Sequence, residues 1–158
     1  MPKSQEIELM EALEATPFFS DLASETLELL SGSTKLVSFE AGQFLFREGQ
    51  PADDFFIILQ GRVAIELRTT GRGQVIIQTL EENDIVGFGW VHPPQRWIFD
   101  AQSLTFLQAL SVNVEGLMDI CRKDHSFGFD IMQNLVGSVV DQLQATRLQV
   151  LESYGVRG

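Results

Sequence analysis

The sequence has very little cysteine and little positive charge. Cys121 is the single cysteine among 158 residues, so no disulfide can form within the chain, which fits a reducing cytosol. The 11 Lys and Arg are outnumbered by 22 Asp and Glu, and the formal net charge is -11. A nucleic-acid-binding module needs a basic face to neutralise phosphates. The composition therefore argues against direct DNA or RNA binding. A small anionic ligand stays compatible, because salt screens distant acidic charges around one local arginine.

Long hydrophobic runs are also missing. The longest purely apolar run is FFIIL, residues 55–59, far shorter than the roughly 20 residues that a membrane-spanning helix needs. The first ten residues, MPKSQEIELM, contain no apolar signal core. We therefore predict no membrane span and no export signal, and expect a cytoplasmic protein. Hydrophobic residues nevertheless make up 44% of the chain, which is enough for one domain with a buried core.

Histidine is scarce, with only His92 and His125 in the chain. A metal-dependent enzyme built on a double-stranded β-helix needs a cluster of His and carboxylate ligands around one metal. The two histidines are predicted to lie on either side of the last strands, and no Ser-His-Asp or Cys-His spacing stands out. The sequence therefore predicts no catalytic residue, no metal site and no resident cofactor. A cupin-like enzyme is the alternative that a metal assay on purified protein would test.

The middle of the chain has the pattern of a β-barrel. Between Lys35 and about Asn113, short apolar runs alternate with turn residues, and the turn Gly71-Arg72-Gly73 is typical of a β-hairpin. Many short strands at even spacing indicate an antiparallel sandwich or barrel. The predicted strand segments are LVSF, QFLF, FFIIL, RVAIEL, QVIIQTL, WIFDAQS and LTFLQALSV.

Helical periodicity flanks this barrel on both sides. The predicted helices cover residues 4–15, with Ser4 as the N-cap, and then 21–31, 112–123 and 127–152. The predicted fold class is thus α+β, a small jelly-roll barrel with helices on either side. As a single domain, the chain divides into N-terminal helices (1–34), the β-barrel (35–113) and C-terminal helices (114–158).

The last helix carries a heptad seam. Seven residues at alternating steps of three and four form it: Phe129, Met132, Val136, Val139, Leu143, Thr146 and Val150. Such a seam favours a parallel homodimer through the 127–152 helix. The alternative is that the same residues pack against the chain's own barrel.

The stretch GQPADDFFIILQG, residues 49–61, resembles the hallmark of the cyclic nucleotide-binding domain family. Gly49, Gln50, Ala52, the apolar run 55–58 and Gly61 match it, whereas Phe46 replaces an aliphatic residue. PFFSDL at 17–22 resembles the segment that enters the family's barrel, so the resemblance covers roughly residues 17–154. Glycine at both ends of the hallmark permits a positive φ where a strand turns, and we assign these glycines to the fold.

The resemblance also implies a phosphate-binding cassette in IVGFGWVHPPQRWIFDA, residues 85–101. Ligand-binding family members carry Phe-Gly-Glu there, and the glutamate accepts a hydrogen bond from the ribose 2′-hydroxyl. Val86-Gly87-Phe88 occupies those positions, so Phe88 replaces the acid. Phenylalanine cannot accept that bond, and an unpaired buried hydroxyl costs about 1–3 kcal/mol. We therefore expect cAMP and cGMP to bind weakly or not at all in the family's usual pose.

The family's cassette also contains an arginine that pairs with the cyclic phosphate. Arg96 is the arginine closest to that position, but it lies one residue closer to Ala101 than the family spacing. On a strand, this slip would put Arg96 on the wrong face. In a loop, its guanidinium could still turn to a phosphate or carboxylate.

Glycines and aromatic residues dominate the rest of this loop. Gly87 and Gly89 would let the backbone approach a ligand, whereas Pro93-Pro94 offers no N–H. Trp90 and Trp97 either form the walls of a pocket for a flat ring or fill the space that the missing ribose leaves. His92 is either a solvated side chain or an anion donor that titrates near neutral pH.

The long helix contributes one more candidate. Leu143 to Arg147 resembles the Leu-Gln-Val-Thr-Ser stretch of the catabolite activator group, in which the threonine contacts the purine. Thr146 keeps this hydroxyl, while Arg147 replaces the serine. Thr146 is therefore either a ligand contact or one polar member of a helix interface.

These residues predict a regulatory sensor domain and not an enzyme. The expected ligand-binding residues are Gly87, Phe88, Gly89, Trp90, Arg96, Trp97 and Thr146. The expected ligand is a small anion or a cyclic nucleotide held by displaced groups. Because no helix-turn-helix follows the long helix, output is expected through a protein partner or through dimerisation. A structural or dimerisation module whose pocket is filled by aromatic rings is the third alternative.

Overall fold

The computed structural model describes residues 3–155. Its helices are α1 (Lys3–Ala15), α2 (Ser24–Ser31), α3 (Val114–Lys123) and α4 (His125–Ser153). Its strands are β1 (Thr34–Phe39), β2 (Phe44–Phe46), β3 (Asp54–Gln60), β4 (Val63–Thr69), β5 (Gly73–Leu80), β6 (Ile85–Val86), β7 (Asp100–Ser103) and β8 (Leu107–Asn113).

The strands form two four-stranded antiparallel sheets. One has the order β1-β8-β3-β6 and the other has the order β2-β7-β4-β5. Strands that are distant in sequence are neighbours in each sheet, as in a jelly roll, and their inward-facing side chains form one core. The predicted barrel between N-terminal and C-terminal helices is confirmed.

Several element boundaries differ from the sequence prediction. Ser4 lies inside α1, which begins at Lys3, so it is not the N-cap. α2 begins at Ser24 and not at residue 21, because Leu22 still belongs to a turn in which its N–H donates to the Phe19 carbonyl. Residues 97–99, predicted as strand, precede β7 as loop. The two-residue strand β6, which pairs with β3, is too short for its sequence pattern to predict.

The two turns at the ends of the hallmark contain glycines with a positive φ. Gly49 has φ 87° and Gly61 has φ 109°, a region that other residues rarely occupy. A Cβ at Gly61 would also lie 2.5 Å from the carbonyl oxygen of Phe106. The assignment of these glycines to the fold agrees with this geometry.

The C-terminal helices begin at side-chain caps. Asn113 Oδ1 accepts a hydrogen bond from the Gly116 N–H at 2.9 Å, and Asp124 Oδ1 accepts one from the Phe127 N–H at 3.1 Å. Such caps satisfy N–H groups that a helix start leaves without partners. The cap at Asp124 lets the chain end α3 and enter α4 directly.

Helix α4 is buried only near its start. Phe127, Ile131 and Leu135 pack into the core. From Val136 onward, the apolar side chains of the predicted seam are largely exposed, including Val136 at 61% and Leu143 at 45%. From Val136 onward the seam therefore does not pack against this chain's own barrel, whereas Met132 packs against the core.

Candidate functional site

The loop of residues 87–99 connects β6 to β7 and lies against the first hallmark turn. The Trp97 N–H donates to the Gln50 carbonyl at 3.0 Å, and the Gly49 N–H donates to the Trp97 carbonyl at 2.8 Å. The Ala52 N–H donates to the Gln95 carbonyl at 2.8 Å. These bonds and the β-bridge between Pro51 and Arg96 hold residues 96–97 in an extended, strand-like conformation, whereas Gln95 has a positive φ of 55°. The glycine-rich turn thus fixes the end of the loop.

This pairing sends neighbouring side chains in opposite directions, as in any extended segment. Trp97 points inward and is 5% exposed. Arg96 is exposed, and its Nη1 donates to the carbonyl oxygen of Gly49 at 2.8 Å. The strand-like alternative considered for Arg96 therefore applies, and the one-residue slip places its guanidinium on the outside.

Trp97 fits between an aromatic ring and two glycines. Its ring is stacked on Phe46 with centroids 3.7 Å apart and planes at 5°. A Cβ at Gly87, where φ is 79°, would lie 2.9 Å from the Trp97 ring, and a Cβ at Gly89 would lie 3.2 Å from it. The missing Cβ atoms therefore make room for an indole of the same loop, in addition to any approach by a ligand.

Trp90 occupies the core behind this loop. It is fully buried and stacked on Phe55, with centroids 4.1 Å apart and planes at 7°. Its Nε1–H donates to the Gly87 carbonyl at 3.2 Å. Trp90 is not among the residues that line the adjacent cavity, so it anchors the loop to the core.

A cavity of about 240 Å³ lies between the loop, the hairpin of β4 and β5, and helix α4. Four of the predicted site residues line it, namely Gly87, Phe88, Gly89 and Trp97, whereas Trp90, Arg96 and Thr146 do not. The remaining lining residues are Phe46, Ile65, Ile77, Gln78, Ile98, Phe99 and Gln142. Within residues 3–155, no Asp, Glu, Lys, Arg or His lines this cavity.

Helix α4 contributes Gln142 to the cavity wall. Its Nε2 donates to the carbonyl oxygen of Ile85 in β6 at 2.9 Å. Thr146 lies one turn further along α4, and its hydroxyl donates back to the Gln142 carbonyl at 2.9 Å. The contact between helix and cavity is therefore an amide one turn before the residue that the resemblance indicated.

Gln142 also borders a larger and more polar groove of about 690 Å³. The groove runs between the turn joining β5 to β6 and the small residues of α4, such as Gly137 and Ala145. Burial raises the pKa of Asp84 in this groove; a hydrogen bond from the Glu81 N–H opposes the shift, while nearby Glu81 and Asp141 charges add to it. Gln142 thus separates an apolar cavity from an acidic groove.

Two buried carboxylates lie opposite each other where β4 pairs with β7. Asp100 accepts hydrogen bonds from the Glu48 N–H and the Gln74 amide, both at 2.7 Å, and Arg47 Nε lies 3.4 Å from its Oδ1. Burial raises the pKa of Asp100, but the bonds from Gln74 and Glu48 and the Arg47 charge outweigh it, so that the pKa is lowered overall. Burial, and then the Asp100 charge, raises the pKa of its cross-strand neighbour Glu66, while the Arg47 charge lowers it.

Sequence reasoning missed most of the apolar lining and the polar residue from α4. Ile65 and Ile77 lie on the two strands of the predicted hairpin, but alternation does not single them out, because β4 is buried at four consecutive residues and both Ile77 and the adjacent Gln78 line the cavity. Gln142 precedes Thr146 by four residues and therefore shares its helix face. Phe46 was noted only as a departure from the hallmark, because no pattern in sequence indicates which ring will stack on Trp97.

The two histidines do not join this site. His92 is exposed, and its Nδ1 lies 2.8 Å from the Pro93 carbonyl oxygen, while His125 begins α4. Among residues 3–155, no three His, Cys, Asp or Glu side chains form a cluster that could hold a metal ion. No helix in this part of the chain has the length and hydropathy that crossing a membrane requires.

Comparison with known proteins agrees with this architecture. Residues 36–124 match the family described as "Cyclic nucleotide-binding domain". The chain is similar in structure to a cyclic nucleotide-binding domain from Methylobacillus flagellatus, with a TM-score of 0.77 and 15% identity, covering 95% of this chain and 84% of that one. At this identity the likeness shows the fold alone.

Two curated relatives match parts of the sequence. The chain is 29% identical to a cGMP-dependent protein kinase, isozyme 2, of Drosophila melanogaster over 84 residues, which are 52% of this chain and 9% of the kinase. It is 24% identical to a CRP-like cAMP-activated global transcriptional regulator of Mycobacterium tuberculosis over 107 residues, which are 68% of this chain and 48% of the regulator. The chain thus spans less than half the length of these relatives.

Proposed function

This chain belongs to the cyclic nucleotide-binding domain family, and from that premise we propose that it is a cytoplasmic, non-enzymatic sensor domain with an altered cassette. Its cavity binds a small ligand but does not hold cAMP or cGMP in the pose that the family resemblance implies. The observation that carries this proposal is Phe88, an apolar ring that lines the cavity where the family motif has an acid. A ribose hydroxyl buried against Phe88 would have no acceptor there.

The position of Arg96 supports the same proposal. Its guanidinium donates to Gly49 on the outside of the loop and does not line the cavity. A cyclic phosphate in this cavity would therefore be buried without a cationic partner, which is strongly unfavourable. The proline pair at 93–94 further limits the backbone N–H groups that could replace it.

Gln142 is the proposed connection between ligand and output. It lines the cavity and also joins α4 to β6 through the Ile85 carbonyl. A ligand changes the position of α4 only if it binds two positions of the helix unequally. A ligand that competes with Ile85 for the Gln142 amide would meet that condition.

The proposed output of this domain is a homodimer formed along α4. Val136, Val139, Leu143 and Val150 are exposed along one seam, and burying such residues against a second copy removes apolar surface from water. Size-exclusion chromatography with light scattering measures the mass. Leu143→Asp should shift the protein towards monomer, and Gln144→Asp on the next position should leave the mass unchanged.

Calorimetry with cAMP and cGMP tests the proposed loss of nucleotide binding. We expect neither nucleotide to bind with sub-micromolar affinity, and sub-micromolar affinity for cAMP would contradict the proposal. Phe88→Glu should not create such affinity, because Arg96 does not face the cavity. Strong binding by Phe88→Glu would show that Arg96 can turn inward, so the lost acid alone would explain the altered specificity.

A ligand-free structural or dimerisation module is the second candidate function. The stack of Trp97 on Phe46 favours it, because these rings already occupy part of the cavity space. Thermal unfolding with cyclic nucleotides, cyclic dinucleotides, anionic metabolites and neutral aromatic compounds separates the two functions. A bound ligand at about a hundredfold excess over Kd raises the free energy of unfolding by about 2.7 kcal/mol, whereas a structural module gives no shift with any of them.

A further inference from the structure

The cavity wall consists largely of aromatic and branched aliphatic side chains. Phe46, Ile65, Ile77, Phe88, Trp97 and Phe99 all contribute to it, and no charged side chain of the described residues does. An ionised group that enters such a space loses its hydration without gaining a counter-charge. The lining therefore selects against the anions that the family resemblance suggested.

Two neutral amides lie on the wall, together with the indole of Trp97. Gln78 extends from β5, and Gln142 is held in place by its bond to the Ile85 carbonyl. A primary amide both donates and accepts hydrogen bonds. Such groups suit the uncharged polar atoms of a ligand, for example a hydroxyl, a carbonyl or a ring nitrogen.

The shape of the cavity adds a further restriction. Its volume of about 240 Å³ is just below the roughly 300–1,000 Å³ of most small-molecule sites. Phe88 and Trp97 present aromatic surface to it, and aromatic rings favour stacked or edge-on contacts with other flat rings. Ile98 lines the cavity while being 65% exposed, so the entrance is apolar as well.

We propose that this cavity binds an uncharged, planar and largely apolar compound, whose one or two polar atoms hydrogen-bond to Gln78 and Gln142. This proposal rests on the proposed function, in which the fold keeps a ligand cavity that has lost its nucleotide specificity. It assigns the ligand to the class of small neutral aromatic or heteroaromatic molecules. It also assigns specificity to residues on β5 and α4 in addition to the loop.

A matched pair of fluorescent compounds tests the charge preference. 2-Naphthol is neutral and planar, and 6-hydroxynaphthalene-2-sulfonate has the same ring and hydroxyl with one added sulfonate. We expect the neutral compound to bind at least about tenfold more tightly, because only the sulfonate must be buried unpaired. The titration is repeated at about 1 M NaCl, where screening acts over about 3 Å and removes the effect of the distant acidic surface.

A pair of variants locates the binding. Phe88→Glu places a carboxylate in the cavity and should weaken binding of the neutral compound at least about tenfold. Phe106→Glu makes the same substitution at a side chain that is 47% exposed and does not line the cavity, so it should leave binding unchanged. Phe88→Leu keeps the wall apolar and should retain binding, while circular dichroism confirms that each variant is folded.

The outcomes separate this proposal from the one on which it rests. Equal affinity for the two compounds at high salt, undiminished binding by Phe88→Glu, or no binding of the neutral compound would overturn the ligand class. If neither the neutral compound nor cAMP binds, the proposed loss of nucleotide binding is supported, and only the proposed ligand class is wrong. If cAMP binds with sub-micromolar affinity, the proposed function itself is wrong.

Discussion

Two aromatic stacks in the same loop region have different surroundings. Trp90 on Phe55 and Trp97 on Phe46 have nearly the same geometry, with centroids 4.1 and 3.7 Å apart and planes within 7° and 5°. Trp90 is fully buried and its N–H donates to the Gly87 carbonyl. Trp97 instead forms part of a cavity wall.

The difference shows that one loop can both attach to the core and line a cavity. Trp90 is fully buried against Phe55 of β3, so it holds residues 87–90 against that strand. Trp97 borders the cavity, and the missing Cβ atoms at residues 87 and 89 leave room for its ring. Residue type alone therefore does not separate a structural tryptophan from one that shapes a binding site.

Trp90→Ala should give the largest loss of stability. Removing a fully buried indole leaves a core cavity, and such substitutions cost about 3–5 kcal/mol. Urea unfolding measures the free energy of unfolding of the variant against the parent. Trp90→Phe, which keeps an aromatic ring against Phe55, is the control and should recover most of the loss. An equally small effect of both variants would remove the anchor role.

Gly87→Ala should give the next largest loss of stability. Its φ of 79° is unfavourable for alanine, and the new Cβ would lie 2.9 Å from the Trp97 ring, so we expect a loss of about 2–3 kcal/mol. Combining it with Trp97→Ala removes the contact with the indole, but not the strained φ or the 3.1 Å approach of the new Cβ to the Phe46 ring. The double variant should therefore be more stable than the sum of the single losses predicts, by roughly 1 kcal/mol. Strict additivity would show that the two residues do not compete for space.

Trp97→Ala should cost less than Trp90→Ala, below the roughly 3–5 kcal/mol of a fully buried aromatic side chain, because the Trp97 side chain already borders empty space. Equilibrium unfolding of both alanine variants under one set of conditions gives the comparison directly. Trp97→Ala should also enlarge the cavity, which a crystal structure of the variant would reveal. A loss as large as that of Trp90→Ala would assign both tryptophans to the core.

The smallest expected effect is the dependence of stability on pH. Arg47 follows Phe46 and interacts with Asp100, whose pKa lies below its ordinary 3.8. Stabilisation by this carboxylate is fully present above the unfolded pKa and is lost as pH falls through the lower folded pKa. In Trp90→Phe protein, where Trp97 is the one remaining tryptophan, acid titration should change the Trp97 fluorescence over that window.

Two variants control the acid titration. Asp100→Asn should remove the part of the Trp97 fluorescence change that occurs below pH 3.8. Glu66 has a raised pKa, so its protonation favours the folded state, and its contribution is present below its unfolded pKa and lost as pH rises through the folded pKa. Glu66→Gln should therefore stabilise the protein near neutral pH and leave the acid transition in place. An unchanged transition in Asp100→Asn would contradict the assignment.

The fold could be predicted from sequence because its signals are local. The glycines at 49 and 61, the short apolar runs broken by turn residues between Lys35 and about Asn113, and the helical period after Asn113 each depend on near neighbours. The boundaries that differ from the prediction have two causes, one local and one distant in sequence. β6 has two residues and no period, and residues 97–99 form a loop because the chain pairs with Gly49–Ala52 before it reaches β7.

The candidate site was predicted only in part. Phe88 in place of an acid follows from the sequence, and Phe88 lines the cavity; its role in ligand binding stays a prediction. Arg96 and Trp90 of the cassette, and Thr146 of the stretch 143–147 on α4, do not line the cavity. Pairing with the first hallmark turn sets the direction of Arg96, the stack on Phe55 holds Trp90 in the core, and Thr146 lies one helical turn beyond Gln142. The spacing of residues in the sequence encodes none of these contacts.

The sequence by itself determined the jelly-roll barrel, the scarcity of positive charge and the replacement of an acid by Phe88. Turn chemistry and hydrophobic period act over a few residues, and an apolar side chain cannot accept a hydrogen bond in any fold. Only the tertiary structure decided that Trp97 enters the cavity, that Arg96 leaves it, and that Gln142 joins it from α4. These outcomes depend on contacts between segments about 45 residues or more apart, where packing and register choose among orientations that the local sequence permits equally.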